Sequence, residues 1–320
     1  MVKFLAEANP EAARLEALAA VSPENPFATA AYLRAEQSLG AQPWLLGCED
    51  GGRLTYGCFG FLRFGRLNRR LTIPSLPSAD EPFWSGLREF NRAHGITVLE
   101  LNSFASPVLS IPALGEETGR LARHEFRLHL DVPEAKLVER MRINHRQSLR
   151  KGIKSGIEVR ITNDWAALDD HLLLMKSSMT RRQARGESVS YDDSHKNLRR
   201  FLETGFCRLF FAVLGSETVS SMLVARSKQG AYLYTSGTSP EGMAVGASHF
   251  LIHEIALTSR REGAIVFNLG GVADLNSGLA QYKRHFGAEV VSLEAAEFYV
   301  GSPWRRAIGL VVNRVRRSPL

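Results

Sequence analysis

Leu251-Ile-His-Glu-Ile-Ala-Leu-Thr-Ser-Arg-Arg-Glu-Gly-Ala-Ile-Val-Phe-Asn-Leu269 reads as a helix that stops at Gly263 and feeds straight into a strand. Phe83-Trp-Ser-Gly-Leu-Arg-Glu-Phe-Asn-Arg-Ala-His-Gly-Ile-Thr-Val-Leu-Glu-Leu101 reads the same way, with Gly95 as its stop. The two superimpose with a constant offset of 168 residues, glycine on glycine and Leu101 on Leu269. Each glycine stands where the end of a helix favours a positive φ. Strand-like runs precede both segments: Trp44–Cys48, Leu54–Arg63 and Leu71–Ile73 in the first half, and Cys207–Leu214, Thr218–Arg226 and Ala231–Ser236 in the second. A repeat this long does not suit a solenoid; it predicts a duplicated α/β (α+β) domain, each copy a mixed sheet flanked by helices. The expected division is 1–131, 132–300 and a basic tail, 301–320. Around the junction, a helix is expected after Pro133 and a second, basic one from Asn144. Thr180-Arg-Arg-Gln-Ala-Arg-Gly-Glu lies in a polar stretch that reads partly as loop.

Beyond the second repeat, Phe267-Asn-Leu-Gly-Gly-Val-Ala-Asp-Leu-Asn-Ser-Gly-Leu-Ala-Gln-Tyr-Lys-Arg-His-Phe-Gly287 reads as a buried strand, a glycine break and a short helix. On a wheel with Leu279 at zero, Phe286 falls at about −20°, Tyr282 at about −60° and Lys283 at about +40°. Gln281 and Arg284 face the opposite way. Lys283 therefore shares the apolar stripe. Such a lysine either snorkels out or meets an anion or a polarised carbonyl in a polar cleft.

Composition is that of a globular protein. Forty Lys+Arg against 33 Asp+Glu give a formal charge of +7, which favours RNA, nucleotide phosphates or anionic lipid as partners. No early apolar run suggests a membrane span or signal peptide, and Cys48, Cys58 and Cys207 lack metal or disulfide spacing. A cytoplasmic protein with reduced core thiols is expected. The tail Pro303–Arg317 has arginines at both ends of an apolar stretch too short to span a bilayer. It reads as a helix that docks on its own domain or lies weakly on a membrane surface.

Tyr232-Leu-Tyr-Thr-Ser-Gly-Thr-Ser, the helix ending at Gly263, Phe267-Asn-Leu-Gly-Gly-Val and Gly278-Leu-Ala-Gln-Tyr-Lys-Arg-His-Phe-Gly287 together resemble the Fem-type aminoacyltransferases, a branch of the GNAT acyltransferase superfamily with two tandem GNAT-like domains. The last run is similar to the family's aromatic–Lys–x–x–Phe–Gly signature. The basic helix Arg146–Lys154 and, more loosely, Asn25-Pro-Phe-Ala-Thr-Ala-Ala-Tyr-Leu-Arg are also similar to family segments. The resemblance implies amide formation, with an aminoacyl group passing from aminoacyl-tRNA to a peptide-like or small-molecule amine. It implies no cofactor, and it implies that Lys283 is the charged group aimed at a carbonyl or carboxylate. No heptad insertion that would build a coiled-coil arm is present. Two alternatives stay open: an acyl-CoA-dependent N-acetyltransferase using acetyl-CoA, and a non-catalytic binding protein on the same fold. Where an acetyl-CoA-binding GNAT domain presents a glycine-rich pyrophosphate loop, this chain has Glu241-Gly-Met-Ala-Val-Gly-Ala-Ser-His, with an acid at its head and Ser248 of the capping type.

Other residues complete the expected site. Gly270 and Gly271 allow close approach of backbone to substrate, or simply a tight turn. Tyr234, Ser236 and Thr238 alternate and so share one strand face, lining a pocket or packing as ordinary β-formers. Asp274 and Asn276 precede the Lys283 helix and suit substrate contact or capping. Tyr282 borders the lysine. Arg146, Arg150, Lys151 and Lys154, beside Arg140 and Arg142, offer phosphate or tRNA contacts or a solvated helix face. No general base stands out. His249 and His253, four apart on one helix, lack an evident third ligand, and no metal is expected.

Overall fold

Both glycine stops form as expected. The helix Glu81–Ala93 runs to Gly95 at φ +60°, and the helix Ala247–Arg261 runs to Gly263 at φ +93°. Each then enters a strand, Val98–Leu101 or Val266–Val272. The computed structural model describes residues 2–65, 68–106, 110–187 and 194–302, which form two compact units.

The first unit comprises the chain to Ser22, Gly40–Arg123 and the chain from Leu293. Its strands lie in the order Lys3–Ala8, Gln42–Asp50, Arg53–Phe64, Arg69–Ile73, Val98–Leu101 and the part of Glu289–Tyr299 from Leu293 on. The first four run antiparallel; Arg70–Ile73 then pairs in parallel with Val98–Leu101, which pairs antiparallel with Ala296–Tyr299. The parallel pair stays joined to its end. Beyond Ile73 and Leu101 the Asn102 amide donates to Ile73 O at 2.8 Å, and Ser75 bridges Ser103. Phe83, Leu87 and Phe90, on one face of Glu81–Ala93, bury themselves with Leu46, Leu99 and Phe298.

The second unit comprises Pro23–Leu39 and His124–Ser292. Its strands follow the same plan: Glu158–Thr162, Cys207–Leu214, Glu217–Arg226, Gly230–Thr238, Val266–Val272 and the part of Glu116–His129 from His124 on. Again the pairing is antiparallel except for one parallel pair, Gly230–Tyr232 with Val266–Asn268. Phe126, Phe210, Phe267, Leu251, Ile255 and Phe286 lie in its core.

Each sixth strand comes from the other half of the sequence. The open edge of Val98–Leu101 is closed by a strand from near residue 296, and that of Val266–Val272 by His124–His129. An unpaired edge inside a sheet leaves donors and acceptors unsatisfied, so any antiparallel partner that closes it is favoured. A division at residue 131 therefore does not follow the compact units. Asn25–Arg34 also joins the second unit. Asn25 caps Phe27 N, Thr29 caps the helix Ala30–Ser38, and the Phe27 ring lies 5.2 Å from Tyr232.

Helices Glu134–Arg140 and Ile143–Lys154 lie where the junction predicts them. The stretch from Thr180 is partly loop, as expected: the helix Leu168–Ala184 takes in its first five residues, where Arg181 bonds back to Ser177 and Ser178 and on to Thr238 O, and Arg185–Glu187 leave the helix. Cys48, Cys58 and Cys207 are free and buried. The expected tail helix falls on residues 303–320, outside the described residues. No helix among the described residues is long and apolar enough to cross a membrane.

Candidate functional site

The second unit's parallel pair is a fork. Strands Gly230–Thr238 and Val266–Val272 are in register over only three residue pairs, the last being Tyr232 with Asn268. A bulge follows on each side, between Leu233 and Thr235 and between Asn268 and Gly271. The glycines thus sit inside a bulged strand rather than at its end. Gly270 takes φ +75°, and a Cβ there would meet Leu233 O at 2.9 Å, so only glycine fits.

Lys283 turns inward at this fork. Its side chain belongs to the helix Gly278–Arg284, capped by Ser277 rather than by Asp274 or Asn276. Lys283 is 7% exposed, Ala280 and Phe286 are buried beside it, and Gln281 and Arg284 face outward, which is the wheel's expectation. The ammonium donates to Gly271 O at 3.1 Å and lies 5.9 Å from the centre of the Phe126 ring. A cation held over an aromatic face and a bulged carbonyl is positioned without a long tether.

A carboxylate with no mark in the sequence lies opposite. Glu125 is fully buried and pairs across the ladder with Gly271. Its Oε1 accepts from the Tyr232 hydroxyl at 2.9 Å and its Oε2 from Asn268 Nδ2 at 2.7 Å, while Asn268 Oδ1 accepts from Gly270 N at 2.9 Å. Glu125 stands among Arg123, His124 and Arg127 in Glu116–His129 and carries no local sign of burial. Its partner strand lies far along the chain.

The turn that would hold a pyrophosphate is covered. Ser239 caps the short helix Pro240–Val245, and Gly246, at φ +76°, starts the next helix without a side-chain cap, so Ser248 is not one. A Cβ on Gly246 would stand 2.3 Å from Ser148 O, and one on Gly152 2.8 Å from the Phe250 Cβ. Helix Ile143–Lys154 therefore lies backbone-close over the start of Ala247–Arg261. Between these helices and the Lys283 helix the space is filled by rings. His145 lies 4.4 Å from His249, 5.2 Å from Tyr282 and 4.6 Å from Phe286, ring centre to ring centre. Both ring nitrogens of His145 are buried without a hydrogen-bond partner among the described residues. Burial, and then the neighbouring His249 and His285, lower the His145 pKa to about 4; burial alone takes His249 to about 4. Gly246→Ala should destabilise the protein by roughly 2–4 kcal/mol, from left-handed backbone strain and overpacking together. Urea midpoints check this, and a near-native midpoint would show that the two helices are not locked at this contact.

The remaining expected residues divide. Tyr234, Ser236 and Thr238 do not share a face. The bulge breaks the alternation, with Tyr234 against Phe201 at 5.2 Å and its neighbour Thr235 hydrogen-bonded to His171 at 2.9 Å. Thr238 instead meets Ser220 at 2.8 Å. Asn276 is exposed, and its amide donates to Asp274 Oδ1 in a local turn. Tyr282 is turned to the histidine cluster. Arg150, Lys151 and Lys154 are exposed and Arg146 is half-buried, along the outer side of the helix that covers the turn. His253 is buried away from a third ligand. Among the described residues no three His, Cys, Asp or Glu side chains are placed to hold a metal ion.

Residues 139–284 match the family model of the acetyltransferase (GNAT) domain. No curated protein matches the chain by sequence. Among solved structures, FemX is similar at 12% identity over 94% of this chain and 99% of that chain, with a TM-score of 0.69. A tandem GNAT protein from the clavulanic acid biosynthesis pathway is similar at 14% identity, over 94% of this chain and 99% of that one, with a TM-score of 0.51. L-PGS from Bacillus licheniformis is similar at 13% identity over 98% of each chain, also with a TM-score of 0.51. At these identities the likeness is one of fold.

Proposed function

We propose, from the match of residues 139–284 to the acetyltransferase (GNAT) domain model and the likeness of fold to FemX, that the protein transfers an aminoacyl group from aminoacyl-tRNA to an acceptor amine. The observation that carries this reading is the Lys283 ammonium, buried at the fork of two parallel strands. In aminolysis of the ester, the acceptor nitrogen attacks the carbonyl, a C–N bond forms, and the C–O bond to the ribose breaks. The ribose oxygen leaves with a proton given up by the amine. Negative charge builds on the carbonyl oxygen as the nitrogen attacks, and a fixed ammonium stabilises it there more than in the substrate.

The choice of donor rests on the covered turn. With Gly246 against Ser148 and the His145, Tyr282 and Phe286 rings beyond it, the helix start is spent on packing rather than on a pyrophosphate. The outer side of the covering helix carries Arg146, Arg150, Lys151 and Lys154, which suit the phosphates of a folded RNA in the cytoplasm. The acceptor is a peptide-like or small-molecule amine.

Incubation with bulk charged tRNA bearing labelled amino acids should release label only when an acceptor amine is present. Submillimolar coenzyme A should leave the melting temperature unchanged. Strong thermal protection by coenzyme A, with no use of charged tRNA, would transfer the reading to an acyl-CoA donor.

A further inference from the structure

The fork opens at a defined residue pair, and one buried side chain holds both members of it. Tyr232 and Asn268 are the last parallel partners before the strands separate. Their polar ends converge on Glu125, at 2.9 Å from the tyrosine hydroxyl and 2.7 Å from the asparagine amide. The same Asn268 side chain turns back to take the Gly270 amide at 2.9 Å, which shapes the bulge whose next carbonyl, Gly271 O, receives Lys283. We propose that Glu125 is a positioning residue: its carboxylate clamps Tyr232 and Asn268 at the point of the fork and, through the Asn268–Gly270 bulge, sets where the Lys283 ammonium stands.

The chain of bonds fixes its own polarity. Gly270 N–H can only donate, so Asn268 must present Oδ1 to it and Nδ2 to Glu125. Glu125 Oε2 must then accept. The tyrosine hydroxyl can donate or accept, so that side of the clamp is indifferent to which atom it meets. Two consequences separate a clamp from a proton-transfer group or a simple core contact. Glu125→Gln can still offer Oε1 to Asn268 and its amide to Tyr232, so a clamp survives the loss of charge. Asn268→Asp sets a carboxylate oxygen against Glu125 Oε2 and breaks the clamp, whereas in Asn268→Asp combined with Glu125→Gln the glutamine amide donates to the new carboxylate and the clamp is restored.

This inference deepens the proposed site and rests on it for its activity readout; amide exchange supplies a second, independent one. Two quantities are measured in the full chain: kcat and KM for aminoacyl transfer, and hydrogen exchange at the Gly270 amide. Glu125→Gln should keep Gly270 protected and retain a native melting transition. Asn268→Asp should lose roughly tenfold or more in kcat, with KM for tRNA little changed, and should expose Gly270. The double variant should recover both. Should Asn268→Asp alone fail to fold, recovery of a native melting transition in the double variant supports the clamp equally well. Glu125→Gln as damaged as Asn268→Asp, or a double variant no better than the single one, would overturn the clamp. If the exchange pattern holds while the parent protein shows no transfer from charged tRNA, the transfer reading falls and the clamp stands.

Discussion

Lys283→Met should lower kcat for aminoacyl transfer by roughly 10²–10³, the loss expected when one fixed donor to a developing oxyanion is removed. Methionine keeps most of the alkyl bulk beside Phe126 and drops only the charge and its hydrogen bond to Gly271 O, so the fold should remain. KM should move little, because the interaction grows as the carbonyl oxygen gains charge and is weak before that. Single-turnover rates on charged tRNA, with circular dichroism and melting as controls, measure this. A folded variant retaining a tenth or more of the parental rate would remove the ammonium from the reaction. Methionine in place of Arg284, which points outward one position on, should change nothing measurable.

The second large effect is acid lability. Burial lowers the pKa of His171 from 6.5 to about 3, and its nitrogens engage Ser221 and Thr235 as a neutral ring. His145 and His249 are each lowered from 6.5 to about 4. Between these folded values and 6.5 the unfolded chain binds more protons than the native one. Their stabilisation is therefore complete above about pH 6.5 and is withdrawn as pH falls toward 4 and then 3. Each imidazole kept neutral this way contributes on the order of 3 kcal/mol, and three together give a slope of about 4 kcal/mol per pH unit below pH 6. Urea unfolding at closely spaced pH values should show the protein failing well above pH 4. His145→Phe should flatten the curve without cost at neutral pH, since both nitrogens of His145 are unpaired. A stability constant from pH 7 to 5 would contradict the burial of these rings.

What the sequence reveals and what it hides divide by range. The two helix–glycine–strand segments are legible because a left-handed stop and an apolar period are local properties. Lys283 is legible for the same reason: helical spacing alone turns it inward. The exchange of sixth strands is not, since Glu116–His129 and Glu289–Tyr299 carry no sign of which edge each will close. Glu125 is hidden with it, because its burial depends on that distant pairing. Tyr234, Ser236 and Thr238 do alternate with a period of two, but a bulge breaks the period. At that bulge Thr235 bonds to His171, a pairing of positions far apart in the sequence. Ser277 displaces Asp274 and Asn276 as the cap because the helix begins a residue later than its polar approach suggests.

The exchanged strands also fix an order of events during synthesis. The sheet begun by Lys3–Ala8 cannot be closed until residues 296–299 have left the ribosome, although its other strands emerge nearly two hundred residues earlier. For most of translation the nascent chain carries an open edge at Val98–Leu101, exposed to chaperones or to wrong partners. A stop codon shortly before Glu289 would leave the fork, its lysine and its clamp all encoded, yet the first half would have no native strand with which to finish.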